Sequence, residues 1–255
     1  MFAAAFKKEW KESIRRHRIL VVIGIFLILG IISPVGAKLL PKMMELMATK
    51  TNTQGIEVIF NRQPVANDAI FQYNKNFSML PILIIILGMG LVAEEKIRGT
   101  AEMILAKPVS RFSFLSSKFA CLFLVVLTGV GVGGAVCLFY TSVLLGSVDL
   151  GSYLIMNFLL FFYLVPFISI TLFLSVIIKS VAGVAVTGIG AYFFFMLAGV
   201  IPGVNKFTPQ GIYSYTSNMI QQQASPDWLI PFVSSICMTL IFLVLSTIIF
   251  EKQEI

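Results

Sequence analysis

The sequence predicts an all-α membrane protein with six transmembrane helices. Of the 255 residues, 58% are hydrophobic and only 12% are charged, about half the charged share of a soluble domain. The apolar residues are gathered into runs of roughly the 20 residues that a helix needs to cross the hydrocarbon core of a bilayer. This composition excludes a water-soluble globular domain, and the lack of long polar low-complexity runs excludes a disordered chain.

Six windows without interior charge define the spans. They cover residues about 19–37, 77–93, 119–146, 153–178, 181–202 and 229–250. The seventeen residues of the second window form a helix only about 26 Å long, which is shorter than the hydrocarbon core. We therefore expect that span to extend back into residues 73–76 or to lie deep in the membrane. The first window also resembles a secretory signal, but its length of nearly twenty residues favours an uncleaved helix. Residues 1–255 then form one transmembrane domain.

The distribution of basic residues predicts the orientation. Six spans place both termini on one side, and thirteen of the nineteen Lys and Arg residues fall on that side. Because positively charged segments stay in the cytoplasm, we expect both termini to be cytoplasmic and residues 38–76 to form an external loop. The excess of basic residues behind the net charge of +7 is therefore explained by membrane topology and does not indicate nucleic-acid binding.

Residues 1–18 predict an interfacial helix that leads into span 1. Phe2, Phe6, Trp10 and Ile14 recur every four residues and form one apolar stripe on a helix, with Lys and Arg around it. A tryptophan in such a stripe suits a helix that lies in the headgroup plane. A basic flank that serves only orientation is the alternative interpretation.

The loop over residues 94–118 predicts a short helix between spans 2 and 3. Thr100 can serve as its N-cap, and Glu102 lies favourably near the positive end of the helix dipole. Pro108 disfavours helical geometry at the residue before it and so ends the helix, while Ser110 can cap the helix that follows. An ordinary charged loop is the alternative.

At these residues the chain resembles the membrane subunits of the type-2 ATP-binding cassette permease family. The pattern consists of Glu95, Gly99-Thr100, Leu105, Pro108-Val109-Ser110-Arg111 and Lys118. In that family the amino-terminal segment is an elbow helix along the inner leaflet, and the short cytoplasmic helix is a coupling helix that sits on the ATPase subunit. The resemblance implies ATPase contacts by Glu94, Glu95, Arg98, Gly99, Thr100, Glu102, Met103, Ile104, Leu105, Pro108 and Arg111.

The resemblance further implies the permease subunit of an exporter in the cytoplasmic membrane of a prokaryote. It would work as a homodimer, or beside a similar subunit, with two copies of a separate ATPase. The chain has no G-x-x-x-x-G-K-[ST] phosphate loop, so ATP and magnesium are expected on the ATPase. We expect this chain to bind no cofactor or metal and to catalyse no reaction, since its one histidine, His17, lies in the basic flank.

An ion-coupled secondary carrier or a non-transporting membrane scaffold is the alternative function. Carriers usually keep ionisable residues at mid-membrane, and the interiors of all six predicted spans lack charge. Carbonyl and hydroxyl oxygens can nevertheless hold sodium. The charge pattern therefore argues against a proton-coupled carrier in particular.

Two sets of small or polar residues inside the spans allow two interpretations each. Asn157, Tyr163 and Thr171 in span 4 could line a cleft for an amphipathic or apolar cargo, or could hydrogen-bond neighbouring helices. Gly129 and Gly133 in span 3 form a G-x-x-x-G motif, which serves close packing either within one subunit or between two.

Overall fold

The computed structural model describes residues 2–51, 65–99, 110–201, 203–221 and 228–253, with the side chains of residues 40–51 excepted. These residues form helices and turns without a strand. The helices are α1 (Phe2–Arg15), α2 (Arg18–Thr51), α3 (Ala66–Phe77), α4 (Leu80–Gly88), α5 (Ala93–Ile97), α6 (Arg111–Leu145), α7 (Leu150–Ile177), α8 (Val181–Ala198), α9 (Pro209–Ile220) and α10 (Leu229–Lys252). A single 3₁₀ turn, Asn205–Phe207, precedes α9.

The described residues contain six stretches long and apolar enough to cross a membrane, which confirms the predicted all-α class with six spans. Spans 1 to 6 are Arg18–Leu39, Ala66–Ile97, Arg111–Leu145, Leu150–Ile177, Val181–Ala198 and Leu229–Lys252. The predicted external loop over residues 38–76 is helical in large part, since α2 continues to Thr51 and α3 begins at Ala66. The apolar window ends at Ala37, but many of the residues that follow are Lys, Leu, Met and Glu, which are strong helix formers, and the helix continues.

Span 2 extends back to Ala66, as its short apolar window indicated, but it is broken into α3, α4 and α5. The first break lies at residues 78–79, just before Pro81 in the first turn of α4, where a missing N–H costs no helical bond. The carbonyl oxygen of Ser78 accepts hydrogen bonds from the hydroxyls of Tyr192 at 2.7 Å and Tyr163 at 3.3 Å. Side chains of spans 4 and 5 thus satisfy the backbone at this break.

The second break, at residues 89–92, is held by one serine of span 4. The backbone N–H groups of Val92 and Ala93 both donate to Ser175 Oγ at 3.0 Å. The same hydroxyl donates to the carbonyl oxygen of Met89 at 3.2 Å. Because unpaired backbone groups are costly inside a membrane, this buried hydroxyl makes the break possible.

Span 4, formed by α7, is the central helix of the bundle. In its most apolar window 78% of the residues are buried, against 17% in spans 5 and 6. Tyr163, Leu164, Ile168 and Leu172 have no exposed surface. Spans 2, 3, 5 and 6 pack around α7, and span 1 packs on span 3 and α3 instead. Spans 5 and 6 leave most of their surface free for lipid or a partner.

The G-x-x-x-G motif of span 3 packs against span 1 of the same chain. A Cβ atom added at Gly133 would lie 2.8 Å from the carbonyl oxygen of Phe26, and one added at Gly129 would lie 2.6 Å from Val22 Cγ1. Gly30 of span 1 faces the motif in turn, since its added Cβ would lie 2.6 Å from the carbonyl oxygen of Gly133. Gly129 and Gly133, the two glycines of the motif, therefore serve close helix packing within the subunit.

Candidate functional site

A cluster of ion pairs joins α1, the end of span 2 and the start of span 3. It lies at the end of the bundle that carries α1 and the last turn of α10, here called the terminal end. The ion-pair cluster consists of Lys8, Glu9, Glu12, Arg16, Glu94, Glu95, Arg98 and Lys118. Four carboxylates and four bases give these side chains a net charge of zero.

Three buried residues, Glu9, Glu95 and Lys118, and the partly exposed Lys8 form the centre of the cluster. Lys118, with 2% of its side chain exposed, places Nζ 3.0 Å from a carboxylate oxygen of Glu9 and 3.0 Å from one of Glu95. Lys8 contacts the same two carboxylates, at 3.3 Å from Glu9 and 2.7 Å from Glu95. A buried charge is expensive unless it is closely paired. Each of the four charged groups here lies beside two groups of opposite charge.

The rim of the cluster is more exposed. Arg16 donates to Glu94 and lies 2.9 Å from Glu12. Arg98, whose side chain is 63% exposed, lies 2.6 Å from the other oxygen of Glu94. Exposed pairs contribute little to stability, so the rim mainly adds to the number of links between α1 and the end of span 2.

The carboxylates of the cluster raise the pKa values of Lys8 and Arg16. Burial lowers the pKa of Lys8, but the hydrogen bond and charge of Glu95 and the charge of Glu9 more than offset burial, so this pKa lies above its ordinary value. The hydrogen bond to Glu94 raises the pKa of Arg16. Both bases therefore stay charged throughout the physiological pH range.

The polar side of α1 faces the bundle most closely, although Trp10 of the apolar stripe is also partly buried against the core. Glu9 and Ser13, one helical turn apart, are each only 4% exposed, and Ser13 Oγ lies 3.3 Å from Cys121 Sγ in span 3. Phe2 and Ile14 at the two ends of the predicted stripe are 46% and 54% exposed. The sequence prediction of a helix here is confirmed, and its position in the headgroup plane stays a prediction.

Span 3 and span 6 are joined at the same end by Arg111. Its Nη1 donates to the carbonyl oxygens of Phe250 at 2.5 Å, Glu251 at 2.8 Å and Gln253 at 3.0 Å. The last carbonyls of a helix lack partners within the helix and carry partial negative charge, so a guanidinium there is well placed. The rings of Phe114 and Phe250 stack beside it, with centroids 5.6 Å apart.

Lys96 makes a similar link between spans 2, 4 and 6. Its Nζ donates to the carbonyl oxygen of Val176 and to Oε1 of Gln253, both at 2.5 Å. Lys96 and Arg111 therefore anchor the residues that flank the predicted coupling helix to the last turns of two other spans.

The predicted ATPase contacts divide into two groups. Thr100, Glu102, Met103, Ile104, Leu105 and Pro108 lie outside the described residues. Glu94, Glu95, Arg98, Gly99 and Arg111 are described, and all of them lie at the terminal end. Ser110 accepts a hydrogen bond from the N–H of Ser113 at 3.2 Å, which confirms the predicted cap of the helix after the loop.

Roles for Glu9 and Lys96 were not predicted from the sequence, and Lys118 was predicted only as part of the family pattern. A signal for the buried cluster was nevertheless present. Lys118 lies about two turns inside a helix that is apolar and hydroxyl-rich after Arg111, and Glu9 is an acid within a basic segment. A charge in each of these settings needs a partner of opposite sign, and each could have been assigned to the other.

The three predicted cleft residues lie in different surroundings. Asn157 borders a mainly apolar groove of about 330 Å³ between spans 3 and 4, and its Oδ1 accepts from the Tyr73 hydroxyl at 3.3 Å. Tyr163 and Thr171 are fully buried, and Thr171 donates to the carbonyl oxygen of Phe167 at 2.6 Å. Neither Tyr163 nor Thr171 borders that groove, and both make hydrogen bonds inside the bundle.

Comparison with known proteins agrees with this architecture. Residues 3–255 match the family described as ABC-2 family transporter protein. The uncharacterized transmembrane protein YxlG of Bacillus subtilis (strain 168) is 22% identical over 189 residues, which cover 73% of this chain and 72% of that protein. The chain, with its six spans and a match over nearly its whole length, belongs to the ABC-2 family and is a membrane component of an ATP-binding cassette transporter.

Proposed function

We propose that this chain is the permease subunit of an ATP-binding cassette exporter in the cytoplasmic membrane of a prokaryote. A separate ATPase subunit binds ATP and magnesium and docks on the terminal end of the bundle, which faces the cytoplasm. The excess of Lys and Arg at that end supports the orientation. Two copies of the ATPase and a second copy of this chain, or a similar subunit, complete the transporter.

The observation that carries the coupling role is the attachment of both ends of segment 100–109 to α1. Before the segment, Glu95 binds Lys8, and after it, Lys118 binds Glu9. Lys118 also binds Glu95 directly. A docking segment can pass motion on only if its two ends are firmly fixed to the helices that must move. The ion-pair cluster supplies such a fixed base for the coupling helix proposed at residues 100–107.

The break in span 2 supports the same role. Residues 89–92 form turns between two helices and lie just before Glu94 and Glu95 of the cluster. A force on segment 100–109 therefore reaches span 2 at a point where the span is not a continuous helix. We propose that spans 2 and 3 and α1 move together at the terminal end when the ATPases close on ATP.

The cargo that fits this chain is amphipathic or apolar. The interiors of the predicted spans lack charge, and the groove beside Asn157 is lined mainly by apolar and small residues such as Leu127, Gly131 and Ala135. Transfer of an ion or a highly charged solute along such surfaces would leave its charge uncompensated. A drug, lipid or peptide therefore suits this chain better than an inorganic ion.

A paired-variant experiment tests the docking role. Leu105→Ala combined with Glu102→Lys removes an apolar contact worth ~2 kcal/mol at a well-packed interface and reverses a charge. We expect this variant to reach the membrane normally but to co-purify poorly with the ATPase that the tagged parent chain retains from its native host. Transport should fail with it.

The control carries changes of the same kind in the predicted external loop, Ile56→Ala with Glu57→Lys. It should keep the ATPase. The proposed docking site would be overturned if the Leu105→Ala, Glu102→Lys variant retained the ATPase fully while the Ile56→Ala, Glu57→Lys variant lost it. As a second measurement, the purified chain alone should show no saturable photolabelling by an ATP analogue, since it has no phosphate loop.

A further inference from the structure

The basic residues of α1 and its following turn fall into two groups with different surroundings. Lys8 and Arg16 face the bundle and bind carboxylates of Glu95 and Glu94. Lys7, Lys11 and Arg15 are exposed, and in the described part of the chain no carboxylate lies within ion-pair distance of them. Within the described residues, the second group therefore has no ion-pair partner.

The three exposed bases form a slowly drifting row beside the apolar stripe. Lys7, Lys11 and Arg15 are spaced four residues apart, which on a helix is about 6 Å along the axis with a drift of about 40° around it. Each follows directly after one member of the stripe, namely Phe6, Trp10 and Ile14. The basic row therefore runs along the stripe, on the side remote from the buried row of Glu9 and Ser13.

The start of span 1 shows how close this surface lies to the membrane. The chain turns sharply at His17, which adopts a left-handed conformation with φ of 56°, and α2 begins at Arg18. Leu20 and Val21, within the first turn of α2, are already 68% and 43% exposed. Apolar side chains exposed there suit hydrocarbon, so the carboxyl-terminal end of α1 lies within about one helical turn, or 5.4 Å, of the start of the apolar surface of span 1.

An apolar stripe with a tryptophan and a parallel row of unpaired bases at this depth matches one kind of surface. The stripe suits the boundary between headgroups and acyl chains, and the Lys and Arg side chains can reach lipid phosphates above it. We propose that Lys7, Lys11 and Arg15 form a binding surface for the headgroups of anionic phospholipids. An acidic protein surface would complement the charges but would leave the aromatic stripe of Phe2, Phe6 and Trp10 unexplained.

The test measures lipid preference at Trp10, one of only two tryptophans in the chain. In a Trp228→Phe background, the full chain is reconstituted into bilayers of brominated phosphatidylcholine, which quenches indole fluorescence on contact. Unbrominated phosphatidylglycerol or phosphatidylcholine is then titrated in. We expect phosphatidylglycerol to restore the fluorescence at a much lower fraction of the lipid, with a preference on the order of a hundredfold at most, from about fivefold for each basic residue.

Three variants decide the proposal. Lys7→Gln, Lys11→Gln and Arg15→Gln together should abolish the preference, whereas Lys7→Arg, Lys11→Arg and Arg15→Lys together should keep it. The matched control, Lys38→Gln, Lys179→Gln and Lys206→Gln, removes the same charge at other exposed positions and should also keep it. A glutamine variant that retains the preference, or a parent chain that shows none, would overturn the proposal.

The alternative partner has its own readout. If the glutamine variant binds lipids like the parent but loses the ATPase during purification in neutral lipid, the basic row serves an acidic protein surface and the lipid proposal is wrong. The lipid measurement uses this chain without an ATPase, so its outcome does not depend on the proposed transport cycle.

Discussion

At the scale of single residues, two buried polar side chains of this chain, Lys118 and Ser175, are satisfied by partners far away in sequence. Lys118 pairs with Glu9, 109 positions earlier, and Ser175 bonds to the backbone of span 2, more than 80 positions earlier. Polar groups buried without a partner cost several kcal/mol in a membrane. These side chains are therefore the points at which single substitutions should have the largest effects.

We expect Lys118→Met to destabilise the protein by about 3–5 kcal/mol, because it leaves the buried carboxylates of Glu9 and Glu95 with Lys8 as their principal remaining cation. The thermal unfolding midpoint of the purified protein in detergent measures this loss. In a double-mutant cycle, the variant with both Lys118→Met and Glu9→Gln should lose less stability than the sum of the losses of the two single variants. Additive losses would show that the pair is not coupled.

Ser175→Ala should destabilise the protein by about 1–3 kcal/mol, because the N–H groups of Val92 and Ala93 lose their acceptor at the break in span 2. Ser169→Ala in the same helix is the matched control. Its hydroxyl is equally buried but donates only to the carbonyl oxygen of Pro166 in its own helix. The same unfolding assay should therefore rank Ser175→Ala well below Ser169→Ala in stability, and equal midpoints would contradict the assigned role.

At the scale of elements, the contact between spans 1 and 3 depends on the absence of side chains. Gly30, Gly129 and Gly133 let the two backbones approach so closely that an added Cβ at each would lie within 2.8 Å of an atom of the other helix. Such contacts stabilise helix pairs in lipid through packing, since no hydrophobic driving force acts between helices there.

We expect Gly133→Ala to cost roughly 1–3 kcal/mol, because the new methyl group would press on the backbone oxygen of Phe26. Gly131→Ala is the control, since a Cβ at Gly131 meets no atom within 4 Å. Unfolding in increasing concentrations of dodecyl sulfate compares the two variants under the same conditions. If Gly131→Ala were less stable than Gly133→Ala in this assay, the tight contact would lie on the other face of span 3.

At the scale of the whole molecule, six spans and the shared terminal end determine the topology. In a background without the three native cysteines, a cysteine that replaces Gln54 should react with an impermeant thiol reagent on intact cells. A cysteine that replaces the exposed Lys252 should react only after the membrane is opened, because the terminal end carries most of the positive charge. Labelling of both positions on intact cells would contradict the proposed orientation.

The number and order of the spans could be predicted from sequence because each depends on a local property. A run of about 20 apolar residues is enough to specify a membrane-spanning helix, and Ser110 specifies a helix start through a bond to a residue three positions on. The stripe of α1 likewise follows from a four-residue repeat. None of these features requires knowledge of which helices are neighbours.

The tertiary structure alone decided the breaks in span 2, the use of the glycine motif and the ion-pair cluster. Each rests on a contact between residues distant in sequence: Ser175 with Val92, Gly133 with Phe26, Lys118 with Glu9. The sequence shows that a buried lysine needs a carboxylate, but only the packing of α1 against span 3 shows which one. Sequence periodicity determines which residues share a face of a helix, and the packing of the helices determines what that face meets.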